Sequence, residues 1–344
     1  METARKRGYK WIQRELDTLD PYEDYEQIFR LATSYGGNDF LNSLFYCLVF
    51  PNFIVTEHGA RVVWREDGGK VLRRATARME DTETSNSAWW WYGPSDERCR
   101  ASVESINQLH SSWAKRYPGV FSHNDDYVYT LAFIACFMHR LRRRLGLSDV
   151  QEKVRIASHL FMRDMAPLFY VEGRGSIHDF PDSFDACLRF CEDYEQLPHP
   201  GSEAGHLACA AIFDGFAFRW FPPSLRWLGR ALPTALSLPS TIKIHRMKRN
   251  NAVLQAAILW LFRLFWLFVT KILPDPQDSF VECQEALSSA DRVERVKSHS
   301  AIDKAFAPFF ASSRKNESGW SGCPYHVKLG EVVENTTPGF DARI

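Results

Sequence analysis

The chain lacks an excess of either charge. Lys and Arg number 42, Asp and Glu number 42, and the net charge is zero. That balance argues against a dedicated nucleic-acid binder, which needs a basic surplus to meet phosphates. The common catalytic signatures are missing too. No GxGxxG follows a strand, and GxxxxGK[ST], HExxH, GxSxG and CxxCH are all absent. Dinucleotide, P-loop, zinc-protease, serine-hydrolase and covalent-haem readings therefore lack support. None of the eight cysteines forms a CxxC. A disulfide scaffold does not suit a chain this long with ample core material, so most of them read as buried free thiols, including the i,i+4 pair Cys187 and Cys191. No apolar signal segment lies between Met1 and Arg30. No internal repeat and almost no period-two alternation is visible. Two Asn-x-Ser/Thr sequons, at Asn316 and Asn335, are short enough to arise by chance.

What is present is helical. Apolar residues make up 45% of the 344, enough for a sizeable core, and aromatics make up 14%. A short helix is expected over Tyr22–Tyr35, Phe40–Phe53 is strongly apolar and stops near Pro51, and a loop is expected from Thr56 to Arg73. Further helices are expected over Ala75–Trp91, Glu97–Tyr117 (capped by Asp96) and Asp126–Leu145. Ser148 is expected to cap the next one. Pro181 and Asp182 suit a helix start in "FPDSFDACLRFCEDYEQ". Glu203–Phe221, Ser224–Leu236 and Ala252–Leu273 follow, and the chain turns polar and Ser-rich beyond Pro274. The fold class is all-α, one multi-helix domain with an irregular C-terminal tail.

Ala252–Leu273 is the most apolar window and is long enough to cross a bilayer. Arg263 sits near its centre, which costs about 2.5 to 3.5 kcal/mol on insertion. A basic run, Lys243, His245, Arg246, Lys248 and Arg249, precedes it. Three readings stay open. A buried core helix ranks first, an interfacial helix with Trp260 and Trp266 at the headgroups second, and a spanning helix third.

Interior histidines on aromatic-rich helices suit non-covalent haem. A di-iron site would want ExxH motifs on two helices, and no such pair occurs. His110 is the leading axial candidate. Val103, Ile106, His110, Trp113 and Tyr117 fall on one apolar helical stripe. His159 and His206 come next, and His139 lies on a basic helix end. A lone histidine on an apolar face is still more often a satisfied core residue. In "RMEDT", Arg78, Asp81 and Thr82 share a face at i, i+3 and i+4. A rigid guanidinium beside a hydroxyl could bind a carboxylate such as a haem propionate, or steady dioxygen. The plain alternative is a solvated face.

The segments "LDPYEDYEQIFRLAT", "ARMEDT", "INQLHSSW", "HNDDYVYTLAFIACFMHRLRRRLG", "HLFMRD" and "FDACLRFCEDYEQ" occur in this order. Over Leu19–Pro276 the chain thereby resembles the MpaB-like family of fungal ER-bound oxygenases, which shares a catalytic domain with the latex-clearing rubber oxygenases. The resemblance implies an all-α fold, haem b and dioxygen. It makes His110 the iron ligand and puts Arg78 and Thr82 on the opposite side of the haem. The rubber enzymes carry Lys just before that Thr, where this chain has Asp81. The implied organisation is a polar segment 1–18, a catalytic domain 19–276 and a polar tail 277–344.

The expected function is a haem-dependent oxygenase acting on a lipophilic prenylated, polyketide or terpenoid intermediate in secondary metabolism, by C=C cleavage or a related oxidation. It would be intracellular and peripheral on the endoplasmic reticulum membrane. The alternatives are a haem hydroxylase, cyclase or dehydrogenase on the same scaffold, or a non-catalytic membrane-associated lipid binder.

Overall fold

The computed structural model describes residues 7–314. In chain order the first helices are α1 (Trp11–Thr18), α2 (Tyr25–Thr33) and α3 (Asp39–Val49), the last continuing into a 3-10 turn, Phe50–Ile54. Next come α4 (Glu57–Val63), α5 (Gly69–Arg73), α6 (Ala75–Tyr92), α7 (Glu97–Arg116), α8 (Asn124–Arg144) and α9 (Glu152–Met165). A two-stranded antiparallel hairpin, β1 (Tyr170–Val171) and β2 (Gly175–Ser176), precedes α10 (Phe184–Gln196). The remainder is α11 (Glu203–Trp220), α12 (Arg226–Leu236), α13 (Pro239–Ile244), α14 (Ala252–Lys271), α15 (Phe280–Glu285) and α16 (Ser289–Ser313). The all-α, single-domain expectation therefore holds for the described residues.

Local chemistry explains several helix starts. Asn38, Thr56, Asp96, Ser202 and Asn251 each accept a hydrogen bond from a backbone N–H in the first turn. Ser279 and Glu282 close a reciprocal capping box at α15. Each such cap satisfies an orphan donor and is worth about 1 kcal/mol.

Packing is organised around two helices. Nearly every side chain of α11 from Gly205 to Ala217 is buried, as expected of a helix apolar on all sides. It contacts α3, α4, α5, α6, α12 and α16 and centres the largest apolar cluster. Helix α8 packs against α9 and α10 and centres the second cluster, which includes Cys99, Cys136, Cys187 and Cys191. Six cysteines are buried free thiols and Cys283 is an exposed one. Cys323 and both sequons lie outside the described residues.

Several expectations need correction. Thr56–Arg73 is not a loop but carries α4 and α5. Short helices flanking the Gly68–Gly69 turn escape a periodicity test that needs longer windows. Ser148 caps nothing: α9 starts at Glu152 after Gln151, with no side-chain cap. The helix expected from Pro181 starts at Phe184 instead, where Ser183 accepts from the Ala186 N–H. Pro239 opens α13 as well as following α12. The tail is not irregular as far as Ser313. Phe306 and Phe310 of α16 are buried in the main cluster, and Asp303 accepts hydrogen bonds from the Thr76 and Ala77 N–H groups at the start of α6. A helix whose polar faces meet solvent has weak apolar periodicity, and only its docking site shows why it is stable.

Helix α14 is not a buried core helix. Of its twenty residues only Ile258 and Phe262 are buried. Trp260, Leu261, Leu264, Phe265 and Phe268 are exposed. Arg263 turns the other way, and its guanidinium donates to the Leu145 carbonyl at 3.3 Å. Gln255 likewise donates to the Ala235 carbonyl. The helix is long and apolar enough to cross a membrane by length and composition. His245 drops out of the basic run before it: the residue is buried, and its Nε2 contacts the Pro51 carbonyl at 2.8 Å.

Candidate functional site

Helices α6 and α7 bring the sequence-predicted residues into one region. Helix α6 touches seven other helices, yet only Thr76, Met79 and Glu83 of its eighteen residues are buried. On α7 only Cys99, Val103, Asn107 and Ala114 are buried. Many side chains of both helices are therefore only partly covered. Aromatic and polar contacts join the two helices and their neighbours. The Trp89 indole of α6 donates to Ser102 of α7 at 2.9 Å. Phe169 meets both Trp89 and Tyr127.

His110 sits on α7 in this region and keeps part of its surface open. Its Nδ1 lies 3.2 Å from the Tyr127 hydroxyl. Its ring stacks on Phe121 at 4.0 Å. No hydrogen bond reaches its Nε2 among the described residues. Burial first, and the Arg78 charge second, pull the imidazole pKa from 6.5 down to about 4. The ring is therefore neutral at pH 7. When Nδ1 carries the proton and donates it to Tyr127, Nε2 presents a free lone pair. That is the arrangement a metal-ligating histidine needs, with one nitrogen held by a neighbour and the other open.

Arg78 and Thr82 lie one helical turn apart on α6. The Arg78 guanidinium contacts the Thr82 hydroxyl, which also donates to the Arg78 carbonyl. The same guanidinium lies 4.8 Å over the Phe50 ring. Phe50 in turn stacks on Tyr46 at 5.0 Å. Arg78 forms no ion pair among the described residues. It does not pair with its neighbour Glu80. Glu80 is held by Arg219 and Arg295 at 2.9 and 2.6 Å. The structure thus brings Arg78 and Thr82 together and sets the Arg78 charge within reach of His110.

Asp81 is not brought to the site. It is exposed and pairs with Lys70 at 3.4 Å. The i, i+3 relationship to Arg78 is real, but Lys70 on α5 offers the carboxylate a partner on the solvent side. The other histidines are engaged elsewhere. His159 Nε2 contacts the Pro181 carbonyl at 2.8 Å, and His206 Nδ1 contacts the His245 carbonyl at 2.7 Å. His139 is buried 4.0 Å from Asp149.

Sequence reasoning missed two features. Glu83 is buried one residue after Thr82, and neither carboxyl oxygen has a partner. Burial first, and the Glu80 charge second, push its pKa up to about 9, so it stays protonated at neutral pH. The Tyr46 hydroxyl nearby is equally without a partner. No motif marks such a carboxyl, because its neighbours come from other helices. The second feature is a cluster in which His58 Nε2 meets Asp126 at 2.6 Å and Thr56 at 3.1 Å. Tyr194 also donates to Asp126, at 2.7 Å. Both His58 contacts use the same nitrogen, so this is no nucleophile–base–acid relay, which needs both ring nitrogens.

Among the described residues no three or more His, Cys, Asp or Glu side chains gather as a metal site. A haem needs only one axial side chain from the protein, and His110 could provide it. No protein-family model matches the chain. No curated protein matches it either.

Proposed function

We propose that this chain is a haem-dependent oxygenase of the MpaB and rubber-oxygenase type, acting on a lipophilic prenylated, polyketide or terpenoid molecule. The observation that carries the reading is His110: neutral, held at Nδ1 by Tyr127, open at Nε2 and facing a region that holds an unpaired arginine. When bound, a b-type haem would supply activation of dioxygen for oxidation of a carbon–carbon double bond. The chain's own residues do the rest. His110 holds the group through Nε2, and Tyr127 fixes its tautomer and orientation. Arg78, braced on Phe50 and Thr82, offers a permanent cation to a propionate or to developing negative charge. Trp89, Phe169 and Tyr127 accommodate an apolar substrate and exclude water. The direct test is absorption spectroscopy of the purified protein, with and without added haem. A Soret band supports the reading, and failure to take up haem removes it.

The same proposal places the protein inside the cell, peripheral on the endoplasmic reticulum membrane. The exposed apolar face of α14 supports a membrane contact, and the inward-turned Arg263 leaves that face free of charge. Lys243, Lys248 and Arg249 nearby suit anionic headgroups. This face also favours a second reading, a non-catalytic membrane-associated lipid binder. Absence of haem uptake together with retained vesicle binding would select it.

A further inference from the structure

One opening in the described residues lies away from His110. A groove of about 600 Å³ is formed where α1, α2, the end of α6 and α15 meet. Its apolar walls are Trp11, Tyr35 and Trp91, and its cations are Arg7, Arg14 and Arg30. Trp91 follows Arg78 along α6 by about 20 Å of helix axis. The groove is therefore a separate place from the region around His110.

Its arginines differ from those that are committed to ion pairs. Arg140, Arg219 and Arg295 each hold a carboxylate. Arg7, Arg14 and Arg30 form no ion pair among the described residues. Arg30 is half-buried, and its Nε is sealed from solvent with no partner. Its guanidinium lies 5.4 Å over the Trp91 ring. Arg7 lies 4.1 Å over Trp11 and donates to the Tyr35 hydroxyl at 3.0 Å. The two carboxylates that line the groove form no ion pair with these cations among the described residues. Glu15 accepts from Gln27, and Glu282 is engaged in the α15 capping box. Three guanidiniums with unused donors, two of them on aromatic faces, thus converge on a cavity of small-molecule size.

We infer that this groove is a binding site for a planar aromatic carboxylate. The carboxylate takes the terminal N–H donors of Arg30 and Arg14, and the ring lies against the wall formed by Trp11, Tyr35 and Trp91. Arginine suits this role because its fork matches a carboxylate and its plane stacks on rings. The site does not depend on haem.

The test is isothermal titration of the full chain with 2-naphthoate, with neutral 2-naphthamide and with inorganic phosphate. Saturable binding of 2-naphthoate is expected, at least tenfold tighter than either control. Arg30→Gln and Arg14→Gln should each weaken 2-naphthoate about tenfold or more and leave the naphthamide response unchanged. Circular dichroism and the thermal midpoint report whether each variant is folded, and haem uptake should match the parent protein. No saturable binding, equal affinity for acid and amide, or indifference to both folded variants would overturn the assignment. Phosphate binding as tightly as 2-naphthoate would also overturn it, because the aromatic walls would then contribute nothing.

Discussion

The His110 imidazole lies face to face with Phe121, with 4.0 Å between ring centroids and 8° between planes. Phe121 adopts a left-handed φ of 58°, a conformation that costs a bulky residue roughly 1–2 kcal/mol. Its carbonyl accepts from the Glu172 N–H beyond β1 at 2.8 Å, which helps hold the turn. The stack fixes the imidazole plane, and the Tyr127 hydroxyl fixes its rotation. A histidine clamped on one face and at one nitrogen is oriented before any ligand arrives, and that orientation makes the first prediction specific.

His110→Ala should abolish haem retention, whereas His139→Ala should not. Tyr127→Phe should keep haem but weaken it by about 10- to 100-fold, the usual range for losing the partner of a ligating histidine. Haem titration followed by the Soret band measures all three. Normal haem content in the His110 variant would remove it as the ligand.

Arg78→Ala and Thr82→Ala should retain the Soret band and the thermal midpoint while lowering kcat by on the order of 10²-fold. Asp81→Asn should leave turnover unchanged, because an exposed pair such as Asp81–Lys70 contributes about 1 kcal/mol or less. Turnover on a lipophilic alkene, with the spectrum of the carbon monoxide adduct, reads the difference. Full activity in both Arg78 and Thr82 variants would exclude them from the mechanism. Parallel loss of haem and melting temperature would make them structural.

The membrane contact makes a separate claim. Replacing Leu261, Phe265 and Phe268 together by serine should lower binding to anionic vesicles by on the order of 10²-fold or more, since each large apolar side chain taken out of water contributes roughly 1.5–3 kcal/mol. High salt should release much of the parent protein and carbonate should release most of it, as for a peripheral contact. Resistance to both treatments would mean that α14 spans the bilayer. A fully soluble protein at low salt would mean that another surface covers the helix.

Glu83 predicts how stability depends on pH. Its carboxyl is protonated in the folded chain up to about pH 9, whereas the unfolded chain releases that proton near 4.5. Between those values the folded state binds more protons. The group's contribution is therefore fully present below 4.5 and is lost as pH rises toward 9, at up to about 1.4 kcal/mol per pH unit. Glu83→Gln keeps the shape without the titration. Urea unfolding should find it more stable than the parent at pH 8.5 and flatter across pH 6 to 8.5. The same slope in both proteins would show that Glu83 ionises freely.

Most long helices were legible because their signals are local. Asp96 before α7, the Pro222–Pro223 break after α11 and the apolar run of α14 all lie within a few residues of what they control. The short helices α4 and α5 were not legible, since two turns or fewer leave too little periodicity to separate from a loop. Helix α16 was missed because its stability comes from Phe306 and Phe310 entering a core built by α11, and from Asp303 meeting the start of α6. At the site, the stripe through His110 and the i, i+4 relation of Arg78 and Thr82 follow from helical spacing. The companions of these residues do not.

The amino-acid order by itself determined the helical class, most helix ends, the apolar face around His110 and the existence of a membrane-length run in α14. These depend on residues three and four apart or on single caps, and such interactions are written consecutively along the chain. Only the tertiary structure decided that Tyr127 takes His110 Nδ1, that Lys70 draws Asp81 away from Arg78, and that Glu83 loses every polar partner. It alone turned Arg263 toward Leu145 and left the opposite face of α14 bare. Each outcome depends on which groups from distant segments compete for the same charge or hydrogen bond. That competition is settled only when the helices pack.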